Sequence, residues 1–510
     1  MSSDPRWTLG SINKRSFLKG AGALAGMTML GLARARAADD WDVVVIGGGT
    51  AGLPAAYFAA ERGAKVLLIE KSGQLGGTLD RSAGQIAGAG TKFQAAKTIA
   101  DSPDAHFEDI MRITKGTCDP TLARLLVDNA AETIDWLADN GFATLPEHPV
   151  IEGAHEAFTT ARYQWGPEGG QSILKVMRPQ VETAVINGKI TVLMRTGAVE
   201  LMQDNKGAVI GVITEDESGV RAEHLGRSVV LASGGCAANP TMFQELHGVP
   251  LYARAAYPFS QGKGIELGVS AGGYVRGGEK YLCNSGSVLL DTNYPSPIFA
   301  AAATDPRQRQ PWEITVNRRG ERFLREDHPS VDEREHALLK QPGMRSWIVF
   351  DQEVLEKAPP LFPSMAPERL AALFNTHPMF AKAETVDGLA KIIGITVNGL
   401  VQSVSVYNDG QTKGSDVFGR LHMPLPLVRP PFYAVAQQGI TIISFAGLTI
   451  DNSLRVVKED GDPVPNLYAA GEVIGAGATS GNAYTNGMLV TPALTFGRLL
   501  GQKILPIGAI

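Results

Sequence analysis

The sequence predicts an α/β protein in which a Rossmann-like dinucleotide-binding domain is interrupted by an inserted α+β cap. Three observations carry the prediction. From Trp41 to Gly84 the chain reads as strand, glycine turn, helix, strand and terminal acid, followed by a glycine- and serine-rich loop. Two later apolar runs, Ser228 to Ala232 and Asn466 to Ala470, each lead into a glycine turn. Between about Tyr281 and Arg429 glycine turns thin out, and Pro-rich breaks and charged helices take over, as suits a separate unit.

The first element is outside the fold. Lys14-Arg15-Ser16-Phe17-Leu18-Lys19 precedes a short apolar run, Gly20 to Leu32, and then Ala35-Arg36-Ala37. A basic region, a short apolar region and an Ala-x-Ala site read as a secretory signal. The run falls short of the about 20 residues that span a bilayer. The basic pair followed by Ser, Phe, Leu and Lys resembles the twin-arginine export motif, with Lys14 in place of the first arginine. Residues 1–38 are thus expected to be an export signal, and the mature protein is expected in the periplasm.

Residues 39–280 form the first part of the nucleotide domain. Val43 to Ile46 is its opening strand, and Gly47-Gly48-Gly49-Thr50-Ala51-Gly52 is the turn. Gly47 allows the tight turn, Gly49 lets backbone approach a pyrophosphate, and Gly52 lets helix and strand pack closely. Thr50 and Ala51 open a helix whose free N–H groups face phosphate. The second strand, Lys65 to Ile69, ends at Glu70, which can accept from a ribose hydroxyl, with Lys71 beside it. The loop that follows, with Gly77, Thr78, Ser82 and Gly84, suits a chain wrapping a larger group beyond the ADP half. A helical stretch is expected from His106 to Asn140, then strands at 191–194 and 208–213, with Val199 among the cofactor contacts. The strand at 228–232 returns the chain to Ser233 and Gly234.

Residues 281–429 are the expected cap, with charged helices at 332–340 and 367–374. Residues 430–510 return to the nucleotide domain. Gly471 and Glu472 turn the chain, and a helix from Met488 to Leu500 presents its N-terminus, with Leu489 and Val490, to the cofactor.

Composition narrows the function. A formal charge of −5 and pI near 6.0 leave no basic footprint for nucleic acid. Cys118, Cys236 and Cys283 form no CxxC or CxxCH, so no haem, iron–sulfur or zinc pattern is present, and no metal site is expected. No second strand-GxGxxG unit appears for a nicotinamide.

These blocks, with Gly262-Lys263-Gly264-Ile265-Glu266 and Asn317 to Phe323, resemble the flavoprotein superfamily of fumarate reductases, succinate dehydrogenases and 3-ketosteroid dehydrogenases. That resemblance implies FAD on a glutathione reductase-like three-layer domain. It also implies hydride transfer between a substrate carbon and the flavin. The loop Leu79-Asp80-Arg81-Ser82 lacks the histidine that tethers flavin in succinate dehydrogenases, so the FAD is expected to be non-covalent.

The dicarboxylate clamp of the reductases is missing where the resemblance would put it. Ile442 to Gly447 carries no histidine, and no arginine precedes Gly481-Asn482-Ala483. In the cap their proton-donating arginine falls near Val331, with Arg334 available if the loop is shifted. The ending Gly481-Asn482-Ala483-Tyr484, Gly487 and Pro492 to Gly497 is similar to ketosteroid dehydrogenases. The resemblance gives Tyr484 and the Gly487 N–H the ketone oxygen, an oxyanion-hole device. The family's base tyrosine falls on Ser330, leaving His328 as the candidate proton acceptor. Tyr163, before Gly169-Gly170, matches its supporting tyrosine, and Arg322 is expected to brace the cap. The readings are an α,β-desaturase of a cyclic ketone, the reverse enoate or enone reductase, and a flavin carrier without catalysis. Either enzyme implies a small-molecule substrate and an external electron carrier, quinone or cytochrome-like.

Overall fold

The computed structural model describes residues 41–153 and 155–504, and the backbone of Ala35–Arg36. The export signal and its cleavage site otherwise lie outside the described residues.

Five parallel strands form the base. Their order is 463–469, 221–231, 41–46, 66–69 and 190–193, with 455–457 added antiparallel at one edge. Val43, Val44, Val45 and Ile46 are all buried, with helix Gly52–Glu61 packed against their sheet. Parallel register puts every carboxyl end on one edge, so the turns after Ile46, Ile69, Leu231 and Ala469 converge. A crevice at that edge is where such sheets bind ligands. The long strand Arg221–Leu231 also carries an antiparallel layer, 196–203 and 209–216, through its first half.

Helix Gly52–Glu61 packs on the last helix, Val490–Lys503. A methyl at Gly497 would sit 2.8 Å from the Pro54 ring, and one at Gly501 would sit 2.7 Å from the Ala55 carbonyl oxygen. Small residues on both helices therefore allow close approach. The helical stretch expected from 106 to 140 consists of two helices, Pro103–Ile113 and Pro120–Asp139. Lys115 and Gly116 take positive φ between them, and Asp119 caps the second.

The cap has its own antiparallel sheet and its own core, with Ile314, Trp347, Phe380, Leu400, Tyr407 and Phe432 packed in it. Strand Phe432–Ile440 lies at its centre and pairs with Asn284–Leu289, Arg345–Asp351 and Phe380–Ala383. The cap sheet thus runs to Ile440, past the boundary expected near Arg429. A nine-residue buried run reads the same in either sheet, so the sequence does not say which one it joins. Arg322 braces the cap: its guanidinium donates to Glu326 at 2.6 Å and to Asp416 at 2.6 Å, and all three side chains are buried.

Candidate active site

At the carboxyl edge of the parallel sheet lies a cavity of about 490 Å³. Gly47, Gly49, Thr50, Ala51, Glu70, Lys71, Gly77, Thr78, Ser82, Val199, Ser233, Gly234, Gly471, Glu472, Leu489 and Val490 all line it. The sequence picked each of them, and they come from six separate stretches of chain.

Gly47 turns at φ +104°, and a side chain there would press on the Ala232 carbonyl at 2.5 Å. The absence of a side chain lets the first and returning strands end side by side. Gly49 faces the opposite loop: a methyl placed on it would have Gly77 Cα as its nearest neighbour, at 3.7 Å. Gly52 and Gly84 do not line the cavity. A methyl on Gly52 would overlap the Gly47 carbonyl, and one on Gly84 would overlap the Gly169–Gly170 peptide. They build the cavity's frame by packing.

Glu70 Oε2 accepts from Gly48 N at 2.8 Å, and Oε1 accepts from Ser72 N at 2.7 Å. The carboxylate is fixed by backbone and keeps one lone pair on each oxygen for a diol. The buried Ser233 Oγ has no protein partner. Glu472 is half-buried at the cavity wall and accepts from Ser444 N and Oγ at 2.8 and 3.1 Å; desolvation pushes its pKa up. Ile442, Ile443, Met488 and Leu489 make an apolar wall. An acid for a diol, a side-chain-free cradle at a helix start, an unpartnered hydroxyl and an apolar wall suit a flavin dinucleotide.

None of the four candidate catalytic residues lines this cavity. Tyr484 is buried behind Thr441–Ile443, and its hydroxyl lies 3.2 Å from Leu282 O and 3.1 Å from Thr441 Oγ1. Burial pushes its pKa well above the ordinary phenol value. Its ring stacks on His155 at 5.0 Å, and burial lowers that imidazole to about 4. Gly487 packs against Ala87, where a methyl would come within 2.6 Å of Ala87 N. Tyr163 is buried beside Trp165 in a short strand pair with Ile86–Ala87, and burial raises its pKa. His328 accepts from Ser330 N at 3.1 Å through Nδ1, and its carbonyl accepts from Arg334 Nε at 3.1 Å.

Apart from Arg334, sequence reasoning missed the charged groups near these residues. Asp305 sits 2.7 Å from Arg307 and 3.7 Å from Arg334. Burial lowers the pKa of Arg334. Glu335 is buried with Asn284 Nδ2 at 3.3 Å, and burial raises it to about 8. Glu156 and Lys115 reach the cap from the other domain. No local motif marks these residues; they meet only in the fold. Among the described residues no group of His, Cys, Asp or Glu is placed to hold a metal. Nor is any described helix long and apolar enough to cross a membrane.

Comparison with known proteins agrees with this geometry. Residues 42–485 match the family model described as FAD binding domain. The chain is similar to a fumarate reductase (cytochrome) from Shewanella frigidimarina, 28% identical over 470 residues, covering 91% of this chain and 77% of that one. It is similar to a vinyl phenol reductase from Lactiplantibacillus plantarum, 27% identical over 470 residues, covering 88% and 92%. Among solved structures, a 3-ketosteroid-Δ4-(5α)-dehydrogenase from Rhodococcus jostii RHA1 superposes with TM-score 0.65 at 25% identity, covering 93% of this chain and 98% of that one. The chain belongs to the FAD binding domain family and is an FAD-dependent oxidoreductase acting on CH–CH bonds.

Proposed function

We propose that the substrate is a neutral cyclic ketone, 3-ketosteroid-like or smaller, and that the reaction is its α,β-dehydrogenation. The observation that carries this reading is the apolar wall of Ile442, Ile443, Met488 and Leu489. The cations lining the cavity among the described residues are Lys71 and Lys263. An unpaired buried carboxylate costs several kcal/mol. An apolar ring gains about 25 cal/mol for each Å² it buries. The wall therefore favours a neutral ring over a dicarboxylate.

FAD, when bound, supplies the hydride acceptor. Glu70, Gly49 and Ser233 would hold it, non-covalently, since no histidine or cysteine lines the cavity among the described residues. Tyr484 keeps its proton at neutral pH, because burial raises its pKa. It serves as a hydrogen-bond donor and not as a base. Its O–H can swing between Leu282 O and Thr441 Oγ1, which keeps the donor beside the apolar wall.

A second reading, reduction of an enoate or enone, is favoured by one cluster. Asp305 lies between the partly exposed Arg307 and the buried Arg334, a charged path from solvent into the cap interior. Such a path suits proton delivery to a reduced substrate. Two relatives named as reductases support it as well. In either direction, an external quinone or cytochrome-like carrier would exchange the electrons. Export after cleavage near Ala37 belongs to the same proposal.

Anaerobic addition of cyclic ketones to the yellow holoenzyme tests the reading. Bleaching by a neutral ketone supports dehydrogenation. Reoxidation of the chemically reduced enzyme by enones, without ketone bleaching, would select the second reading. Reoxidation by fumarate alone would overturn dehydrogenation and select the enoate form of the second reading.

A further inference from the structure

Two separate segments of the FAD domain each grip the cap and the cavity loop at once. The first runs from Lys115 to Asp119. Lys115 Nζ donates to Asp332 Oδ2 at 3.0 Å and to Glu333 Oε1 at 3.1 Å, both on the first turn of the cap helix Val331–Leu339. Two residues on, Thr117 Oγ1 accepts from Asn482 N at 3.0 Å, and Asp119 N donates to Ala478 O at 2.9 Å.

The second segment is His155–Glu156. Glu156 Oε1 accepts from Ser330 Oγ and, at 3.1 Å, from Asp332 N, at the start of the same cap helix. Its backbone carbonyl accepts from Asn486 Nδ2 at 2.7 Å, and its backbone bridges Thr485. The neighbouring His155 ring stacks on Tyr484, and its carbonyl accepts from Arg307 of the cap at 3.2 Å.

The loop so held, residues 478–486, runs directly into Met488, Leu489 and Val490, which line the cavity. Thr479 lines it as well. Apolar packing alone would let the cap slide on its seat. A cation on the acidic turn and an anion on its N–H groups fix both position and angle, because charge-assisted hydrogen bonds are short and directional. The groups facing this turn are Lys115, Glu156 and Arg307 from other segments, and Glu333, Arg334 and His336 from its own helix.

We propose that Lys115 and Glu156 are positioning residues that couple the seat of the cap to the loop lining the flavin cavity. With the cap seated, both ends of each segment are held and the loop is fixed. When the cap contact is lost, the loop loosens although none of its own contacts has been removed. The coupling rests on the cavity being the FAD site and not on which substrate enters it.

The test reads the loop while perturbing the cap. Asp332 sits in the cap, and it is bonded to Lys115, Glu156 and His336, none of them in the loop. In the FAD-loaded Asp332→Ala protein, hydrogen exchange in residues 478–490 is expected to rise roughly tenfold, the scale of one lost charged hydrogen bond. Exchange in strand 41–46 should stay at the wild-type level. The visible flavin absorption and circular dichroism should shift, because the loop lines the cavity. Glu156→Ala should reproduce both effects. Glu156→Gln should restore the wild-type behaviour, since its amide oxygen still accepts from Ser330 Oγ and Asp332 N. Faster exchange confined to residues 331–339 in Asp332→Ala would overturn the coupling, as would a Glu156→Gln protein that behaves like Glu156→Ala. If Asp332→Ala fails to fold, Lys115→Met is read the same way: a rise confined to 331–339 again overturns the proposal.

Discussion

Gly49 and Gly52 stand three residues apart in one turn, yet alanine at each should fail in a different way. At Gly52 a methyl would overlap the Gly47 carbonyl oxygen and lie 2.9 Å from its carbon and 3.4 Å from Val45 Cγ1. Backbone must move, so Gly52→Ala should lower the stability of the protein whether or not FAD is present. At Gly49 the methyl meets only Gly77 Cα, at 3.7 Å, an ordinary contact, and φ lies outside the left-handed region. The apoprotein should therefore tolerate Gly49→Ala or gain from it, since such a change typically stabilises by about 0.4–1 kcal/mol through the unfolded chain. The space it fills is the cradle for the pyrophosphate. Overpacking there costs about 1–3 kcal/mol, which is roughly 5- to 150-fold in the Kd for FAD. Titrating deflavinated protein with FAD by flavin fluorescence measures that loss, and thermal unfolding of both apoproteins measures the rest. An unchanged Kd in Gly49→Ala, or an apoprotein as unstable as Gly52→Ala, would refute the assignment of Gly49 to the cofactor.

Three further outcomes are expected. Glu335 has a folded pKa of about 8 against an ordinary 4.5, so the folded protein binds more protons across that window and loses stability as pH rises through it. Glu335→Gln should remove that loss, so that the gap in Tm from wild type changes between pH 5 and pH 8; parallel profiles would contradict the burial of this carboxyl. Arg322→Met leaves Glu326 and Asp416 buried without their shared cation and should cost about 3–5 kcal/mol, read as a lower denaturation midpoint for the cap. Acid precipitation should release all the yellow colour to the supernatant, and flavin retained in the pellet would contradict non-covalent binding.

The nucleotide half of the fold is legible because its determinants are local. Strand, turn, helix and acid lie within residues 41–70, and each glycine's task follows from its own position in that unit. The Lys115 break is less legible, since positive φ at a lysine has no sequence mark. Strand Phe432–Ile440 belongs to the cap sheet, beyond the expected boundary, because uniform burial carries no address. The region around Tyr484 is the least legible. Its hydroxyl is held by Leu282 and Thr441, and its ring by His155, from three distant stretches. A resemblance in the Gly481–Gly487 ending identifies the residue but not what it faces. The cap contacts of Lys115 and Glu156 join positions some 170 to 220 apart, beyond the reach of any local pattern.

The central claim is that the site beside the flavin takes a neutral ring and not a carboxylate. Its most direct test is a titration of the FAD-loaded, oxidised enzyme with cyclohexanone and with cyclohexanecarboxylate, which share the six-membered ring, while the flavin spectrum is followed. The apolar wall of Ile442, Ile443, Met488 and Leu489 predicts that the ketone perturbs the flavin at roughly tenfold lower concentration or better, since one uncompensated charge is worth more than the about 1.4 kcal/mol of a tenfold change. A carboxylate that binds as tightly as the ketone, or more tightly, would mean that cations reach the substrate, and would contradict the neutral-ring reading.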